Sequence, residues 1–126
     1  MGHRVLFLDD DKDLREVVVA LMGLSHAQCD AVASVDELKE LVLRVGVAYD
    51  LAILDINLGA DRPSGLDAYR WLRGRGFKGR VAFLTGHARS HPLVQQACRL
   101  GDAMVHDKPV SFEEMKAMFA APPASD

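Results

Sequence analysis

The fold is decided by the segment Leu51-Ala52-Ile53-Leu54, in which four apolar residues lead directly to the charged residue Asp55. A short run that is apolar on both faces is typical of a central strand in a parallel sheet, where helices cover both sides. Four further short apolar runs occur along the chain. We therefore predict five strands, at residues 4–8, 28–32, 51–54, 80–84 and 103–106.

Segments with helical spacing or helix-capping residues lie between these strands. The first predicted helix carries an apolar stripe whose members are Leu14, Val17, Val18, Leu21 and Met22. The second opens with a capping box formed by Ser34 and Glu37 and ends at Gly46. Its apolar stripe consists of Leu38, Leu41, Val42 and Val45.

Three shorter helices complete the pattern. The third is predicted at about residues 66–73, and the fourth begins near Pro92, a favourable first-turn residue, and ends at Gly101. The fifth opens with a second capping box, formed by Ser111 and Glu114. Its apolar side chains are predicted to point inward and are Phe112, Met115 and Phe119. This alternation predicts an α/β fold, a single-domain, flavodoxin-like, doubly wound sheet of five parallel strands in the order 2-1-3-4-5, with five helices.

The composition indicates one globular domain, since 126 residues, 49% of them hydrophobic and 26% charged, can bury a core of their own. We expect this domain at residues 1–120, with residues 121–126 as a short tail or the start of a linker. The net charge of −3 disfavours direct binding to nucleic acid or to a membrane surface. No apolar run approaches the roughly 20 residues of a membrane span, and no signal-peptide pattern is present, so we expect a cytoplasmic protein. Cys29 and Cys98 lack metal-ligand spacing and are expected to be buried free thiols.

Chemically useful side chains follow the predicted strands. Asp9, Asp10 and Asp11 come after the first strand, Asp55 after the third, Thr85 after the fourth and Lys108 after the fifth. In a doubly wound sheet, ligands bind beyond the carboxyl ends of the strands, where the strand order reverses. We therefore expect the four carboxylates and one ammonium group to meet at this edge of the sheet. The alternative for Asp9, Asp10 and Asp11 is that they end the strand and cap the first helix.

Carboxylates in such a cluster repel one another, by about 4 kcal/mol for two charges about 4 Å apart at an effective dielectric near 20. Lys108 supplies one compensating charge, and a hard divalent cation is the other candidate, because carboxylate and carbonyl oxygens suit Mg²⁺. Beside such an ion and a lysine, Asp55 is the candidate nucleophile that forms an aspartyl phosphate. An unpaired charge at the end of a buried strand is costly, which favours a functional role for Asp55.

Four segments resemble the signatures of response-regulator receiver domains and occur in the same order: VLFLDDD (5–11), LAILDIN (51–57), LTG (84–86) and DKP (107–109). Each signature is weak alone, but all four stand at the end of a predicted strand. The resemblance covers nearly the whole chain, and it implies a receiver in a two-component phosphorelay. It also implies that Asp55 accepts the phosphoryl group, that Asp10, Asp55 and the backbone carbonyl of Asn57 bind Mg²⁺ directly, and that Asp9 acts mainly through water.

The resemblance further assigns Lys108 to one phosphoryl oxygen and Thr85 to another. It implies a sensor histidine kinase or a histidine phosphotransfer protein as the phosphoryl donor, and a phosphoacceptor rather than a turnover enzyme. The signal would then pass through changed protein contacts, in a monomer or a phosphorylation-dependent dimer, to a target that the sequence does not name. No output domain follows the fifth helix, so we expect a stand-alone receiver or an excised part of a larger regulator.

Three features depart from the family pattern. The loop at residues 59–65 is longer than usual, so we expect more mobility above the site. Val105 stands where the family usually has an aromatic residue, which argues against a switch in which a large ring moves behind Thr85. His87 stands where the family tunes the access of water to the phosphoryl group, and we expect it to affect the lifetime of the phosphorylated state.

Two alternative functions remain open. A haloacid-dehalogenase-type phosphohydrolase also combines a strand-end aspartate, a Thr-Gly turn and a lysine around Mg²⁺, but it places its nucleophile on the first strand and needs more acidic residues after the lysine. A receiver-like interaction module would keep the fold and signal without phosphate. The intact set of site residues argues against this module, whereas Val105 and the altered loop favour it.

Overall fold

Ten elements alternate between strand and helix along the part of the chain that the computed structural model describes, residues 3–59 and 61–120. The strands are β1 His3–Leu8, β2 Ala27–Val32, β3 Leu51–Asp55, β4 Arg80–Thr85 and β5 Ala103–Asp107. The helices are α1 Lys12–Leu24, α2 Val35–Val45, α3 Gly65–Gly74, α4 Pro92–Cys98 and α5 Phe112–Ala120. Every predicted strand lies inside an observed one, and none of the described helices has the length and apolar character needed to cross a bilayer.

The five strands form one parallel sheet in the order β2-β1-β3-β4-β5, which confirms the predicted fold class. The central strand β3 is buried over its whole length, as its two apolar faces predicted. Leu8 of β1 pairs with Leu54 of β3, and Asp55 pairs with Leu84 of β4. The carboxyl ends of the inner strands are therefore level, and the residues that follow them meet at one edge of the sheet.

Each face of the sheet has its own apolar core, because successive side chains of a strand point to opposite faces. In β1, Leu6 and Leu8 belong to the core under α2, α3 and α4. Val5 and Phe7 belong to the second core, under α1 and α5. These four side chains are fully buried, so β1 is held on both faces and its end is fixed in position.

The apolar stripes predicted for α1 and α2 are wider than the faces that these helices bury. In α1, Val18 and Met22 are buried, but Val17 is 51% exposed. Each residue advances about 100° around a helix, so Val17 lies on the flank when Val18 points to the sheet. In α2, Val45 is the last helical residue and is 42% exposed.

Serine side chains begin α2 and α5 as the sequence predicted. Ser34 Oγ accepts a hydrogen bond from the backbone N–H of Glu37 at 3.1 Å, but the Glu37 carboxylate accepts from Ala33 rather than from Ser34. The capping box of α2 is therefore half formed. Ser111 and Glu114 exchange both bonds, at 3.1 and 3.4 Å, so the capping box of α5 is complete.

Helix α4 ends at Cys98, before the predicted end at Gly101, because the chain turns between Arg99 and Asp102 to begin β5. The Cys98 side chain, on the last residue of α4, is exposed, and the prediction that it is a buried thiol is wrong. Cys29 of β2 is half-buried, and both cysteines are free.

The inward face of α5 is formed by Met115 and Met118, which are 5% and 1% exposed. Met115 was predicted to point inward, and Phe112 is half-buried. The side chain of Phe119 and the predicted tail at residues 121–126 lie outside the described residues.

Candidate functional site

Three carboxylates meet at the carboxyl ends of β1 and β3. Asp9 follows β1 and is 0% exposed, Asp55 ends β3 and is 4% exposed, and Asp10 is exposed. One oxygen of each carboxylate lies within 4.8 Å of the corresponding oxygens of the other two. The structure thus brings together three of the four acids that were predicted to converge.

The fourth acid, Asp11, caps α1 instead of joining the cluster, as the alternative interpretation of the aspartates predicted. Its carboxylate accepts a hydrogen bond from the backbone N–H of Leu14 at 3.2 Å and begins the helix. A carboxylate at this position satisfies a free N–H group and interacts favourably with the helix dipole. The backbone N–H of Asp11 donates to Oδ1 of Asp9 at 2.9 Å, which orients the Asp9 carboxylate.

Lys108 lies between the two buried carboxylates. Its Nζ is 2.7 Å from Oδ2 of Asp9 and 3.2 Å from Oδ2 of Asp55. The backbone N–H of Lys108 donates to the carbonyl oxygen of Thr85 at 2.8 Å, so the lysine is fixed to the end of β4. Burial lowers the pKa of Lys108, but the contacts with Asp9 and Asp55 outweigh it and hold the pKa above its ordinary value. Lys108 is therefore a charged ammonium group in this site.

Asp55 carries the excess negative charge of the cluster. Burial and then the charge of Asp9 raise the pKa of Asp55 from 3.8 to about 6, although Lys108 and the backbone N–H of Asn57 oppose the change. That N–H donates to Oδ1 of Asp55 at 3.3 Å. Lys108 thus does not fully offset the burial of Asp55 and its repulsion by Asp9, and ionised Asp55 is left electrostatically unfavourable.

The donor set fits a hard divalent cation. All three groups offer carboxylate oxygens, which suit Mg²⁺ rather than a softer metal. Asp9 and Asp55 are buried and fixed, whereas Asp10 is exposed and leaves one side of the cluster open. Mg²⁺ takes few protein carboxylates and keeps several waters, so an open side is what such an ion requires.

Asn57 connects the acidic cluster with the loop after β4. Its Oδ1 accepts from the backbone N–H of Gly59 at 3.1 Å, and its Nδ2 lies 2.9 Å from Nε2 of His87. The ring of His87 also lies against the ring of His91, with 4.7 Å between the centroids. The sequence singled out His87, but its contact with Asn57 was not predicted because the two residues lie on different loops.

Thr85 is 1% exposed and ends β4 next to Asp55, since β4 residue Leu84 pairs with Asp55. Its Oγ1 accepts a hydrogen bond from the backbone N–H of His87 at 2.9 Å. The hydroxyl proton of Thr85 is thus not used by this contact, and the group can donate to a ligand at the strand ends.

The ring that packs against Phe83 of β4 belongs to Tyr69 of α3 and not to a residue of β5. Val105 is half-buried and pairs with Phe83 of β4. The ring of Phe83 contacts the ring of Tyr69, with 5.7 Å between the centroids, and the Tyr69 hydroxyl donates to Asp102 at 2.6 Å. The ring here therefore comes from α3.

Gly65 is a site-forming residue that the sequence interpretation missed. A Cβ atom at this position would lie 2.2 Å from the backbone oxygen of Asp55. The backbone N–H of Gly65 donates to the carbonyl oxygen of Ile56 at 3.0 Å, so the start of α3 packs directly on the end of β3. The sequence signal was the pair Ser64-Gly65, because Ser64 begins α3 with a complete capping box.

Comparison with known proteins agrees with this geometry. The family model of the response regulator receiver domain matches residues 5–120. The chain therefore belongs to the response-regulator receiver family of two-component systems. The family is one of phosphoacceptors rather than turnover enzymes, and phosphorylation and Mg²⁺ are typical of it.

The chain is also similar to individual bacterial proteins. It is 26% identical over 118 residues to the response regulator protein PilR of Pseudomonas aeruginosa, which is 94% of this chain and 25% of PilR. The chain thus spans a quarter of that relative.

Solved structures share the fold at lower identity. The receiver domain (CheY-like) from Methylobacillus flagellatus has a TM-score of 0.74 at 22% identity and covers 95% of this chain and 98% of that chain. The response regulator receiver protein from Sinorhizobium medicae has a TM-score of 0.77 at 21% identity, with 94% and 92% coverage. NtrX from Brucella abortus has a TM-score of 0.80 at 20% identity, with 95% of this chain and 26% of NtrX covered.

Proposed function

We propose that this receiver accepts a phosphoryl group on Asp55 in a two-component phosphorelay, with the help of Mg²⁺. The observation that carries the proposal is the contact of Lys108 with two buried carboxylates, Asp9 at 2.7 Å and Asp55 at 3.2 Å, beside the exposed Asp10. A purely structural role does not explain why charges that are costly to bury stand at the open edge of the sheet.

In the proposed reaction, an oxygen of ionised Asp55 attacks the phosphorus of a phosphohistidine or of a small phosphodonor. The new P–O bond forms as the donor's bond to phosphorus breaks, and the bonding electron pair leaves with the donor. The nucleophile must be ionised, and Lys108 favours that form because its ammonium lies 3.2 Å from Oδ2.

Asp10 and Asp55, with the backbone carbonyl of Asn57, would hold Mg²⁺ directly, and Asp9 would contact it mainly through water. When bound, the ion would supply positive charge for the oxygens of the phosphoryl group. The exposed position of Asp10 keeps this side of the site accessible to a phosphodonor.

Lys108 and Thr85 would then receive the new phosphoryl group. The ammonium of Lys108 would pair with one oxygen, and the free hydroxyl proton of Thr85 would be donated to another. Because Thr85 also accepts from the backbone of His87 at 2.9 Å, its rotation would move the loop after β4. The changed surface of that loop would report phosphorylation to a downstream protein.

The wider assignments follow from this proposal. We place the receiver domain at residues 1–120 and the protein in the cytoplasm, with a sensor histidine kinase or a histidine phosphotransfer protein as donor. The chain would act as a monomer or a phosphorylation-dependent dimer. Two facts count against the phosphohydrolase alternative: the candidate nucleophile ends the third strand, and Glu114, which follows Lys108, is engaged in the cap of α5.

The experiment is incubation of the full chain with acetyl phosphate and Mg²⁺, followed by intact mass analysis. We expect the mass gain of one phosphoryl group in the native chain, no gain in Asp55→Asn, and loss of the gain in EDTA. An unmodified native chain would support the phosphate-independent interaction module instead. Continuous turnover of a generic phosphate ester would support the phosphohydrolase.

A further inference from the structure

A cavity of about 370 Å³ lies between α1, α5 and the face of the sheet that these helices cover. Its walls are mainly apolar and include Phe7, Leu14, Val18, Ile53, Met115 and Met118. Asp11 and Pro109 also line the cavity and are exposed, whereas Val18 and Met118 are buried. The cavity therefore runs from the surface into the core.

We propose that this cavity is a binding site for a small neutral aromatic molecule. Protein interiors are closely packed and leave few voids larger than a water molecule. Apolar cavities of about 150 Å³ stay dry and bind benzene, so a space of about 370 Å³ accommodates a larger, two-ring molecule. Such a molecule makes dispersion contacts with the apolar side chains of the walls.

The charges at the mouth determine that the ligand is neutral. Among the lining residues that the structure describes, the sole cation is Lys108, and its Nζ is already paired with Asp9 and Asp55. Asp11 adds a carboxylate to the same rim. An anionic ligand is therefore repelled, whereas a ring that carries an N–H or O–H donor can bond to the Asp11 carboxylate.

Two methionines make the inner wall adaptable to an aromatic ring. Met115 and Met118 are adjacent on the inner face of α5, and both line the cavity. The thioether side chain is unbranched and flexible, and its sulfur makes favourable contacts with aromatic rings. The wall can thus close around a planar ligand without movement of the backbone.

The test uses indole, a neutral two-ring molecule with one N–H donor, and the full chain labelled with ¹³C at the methionine methyl groups. Indole is added without Mg²⁺ or phosphodonor, so the outcome does not depend on the proposed phosphorylation. We expect saturable shifts of the Met115 and Met118 methyl signals, because the ring current acts on nearby groups. Met104, which does not line the cavity, is the internal reference. The anion indole-3-carboxylate is expected to bind at least about tenfold more weakly.

A pair of neighbouring substitutions locates the site. Val18→Phe fills the cavity and should remove the indole-dependent shifts, whereas Val17→Phe on the exposed flank of α1 should leave them unchanged. Circular dichroism checks that both variants fold. If Val18→Phe does not fold, the titration of the native chain still tests the proposal. The proposal is overturned if Met115 and Met118 show no saturable shift up to the solubility of indole, or if the carboxylate binds equally well.

Discussion

Nζ of Lys108 lies closer to Oδ2 of Asp9, at 2.7 Å, than to Oδ2 of Asp55, at 3.2 Å. Asp9 is the more deeply buried of the two acids, so the shorter contact goes to the carboxylate with the least access to water. Lys108 therefore offsets the burial of Asp55 and its repulsion by Asp9 only in part, which agrees with the raised pKa of Asp55.

Removal of the ammonium should destabilise the fold at neutral pH. Lys108→Met leaves Asp9 and Asp55 without a cation, and we expect a loss of about 1–3 kcal/mol in the free energy of unfolding. The loss should shrink as the pH falls, because the carboxylates then become protonated. Urea unfolding at neutral and acidic pH measures both effects. Lys108→Arg keeps the charge and is the control; a Met variant as stable as the native chain at neutral pH contradicts the prediction.

Asp55→Asn should stabilise the EDTA-treated protein near neutral pH. The pKa of Asp55 is 3.8 in its ordinary state and about 6 in the fold, so the fold binds more protons than the unfolded chain between these values. The free energy of unfolding therefore falls as pH rises through this window, by roughly 3 kcal/mol at most. The substitution removes this loss. Thermal unfolding from pH 4 to 8 should show a higher and flatter stability profile than the native chain, with Asp10→Asn, an exposed site, as the weaker control.

Gly65→Ala should destabilise the protein by about 2–4 kcal/mol, because the new Cβ would lie 2.2 Å from the backbone oxygen of Asp55. The start of α3 and the end of β3 cannot move apart at low cost, because the new Cβ would meet backbone atoms rather than a flexible side chain. Gly74→Ala, at the other end of α3, meets nothing within 4 Å and is the matched control. Chemical denaturation should place the Gly74 variant within about 1 kcal/mol of the native chain. Equal stability of the two variants would refute the assigned clash.

His87→Ala should shorten the lifetime of the proposed aspartyl phosphate. Nε2 of His87 lies 2.9 Å from Nδ2 of Asn57, beside the acidic cluster, and we expect that loss of the ring admits more water to the phosphoryl group. We expect a rate of phosphate loss at least about threefold higher, a change of about 0.6 kcal/mol in the barrier. His91→Asn removes the neighbouring ring but keeps a residue type that caps α4, and should change the rate less. An unchanged rate in His87→Ala, followed by intact mass over time, would show the expectation to be wrong.

The two cysteines should differ strongly in reactivity. Burial and then the charge of Asp30 raise the pKa of the Cys29 thiol to about 12, whereas Cys98 is exposed. Alkylation requires the thiolate, so iodoacetamide near pH 8 should modify Cys98 at least about a hundredfold faster. Mass analysis should find one rapid label per chain, none in Cys98→Ser, and two in urea. Two labels added at similar rates to the folded chain would contradict this.

The order of elements could be predicted from the sequence because short apolar runs and capping residues carry strong local signals. Leu51 to Leu54 predicted a strand buried on both faces, and β3 is that strand. The finer limits of the apolar stripes could not be predicted in the same way. Val17 is as apolar as Val18, and only the direction from which the sheet approaches α1 decides which of them is buried.

The site was predictable to the extent that parallel strands end at one edge of a sheet. That rule placed Asp9, Asp55 and Lys108 together. The rule also placed Asp11 in the cluster, but the carboxylate of Asp11 accepts a hydrogen bond from the first turn of α1 instead. The close packing of Gly65 on Asp55 was missed, because the pair Ser64-Gly65 indicates where α3 begins but not how closely α3 approaches β3.

Asp9 follows the first strand and Asp55 ends the third, whereas Lys108 follows the fifth. A ribosome therefore completes both acids long before it adds the lysine that offsets their repulsion. Until β5 has emerged and paired with β4, the nascent polypeptide carries an uncompensated acidic edge. The proposed phosphoacceptor site is therefore complete only when synthesis of the domain is nearly finished.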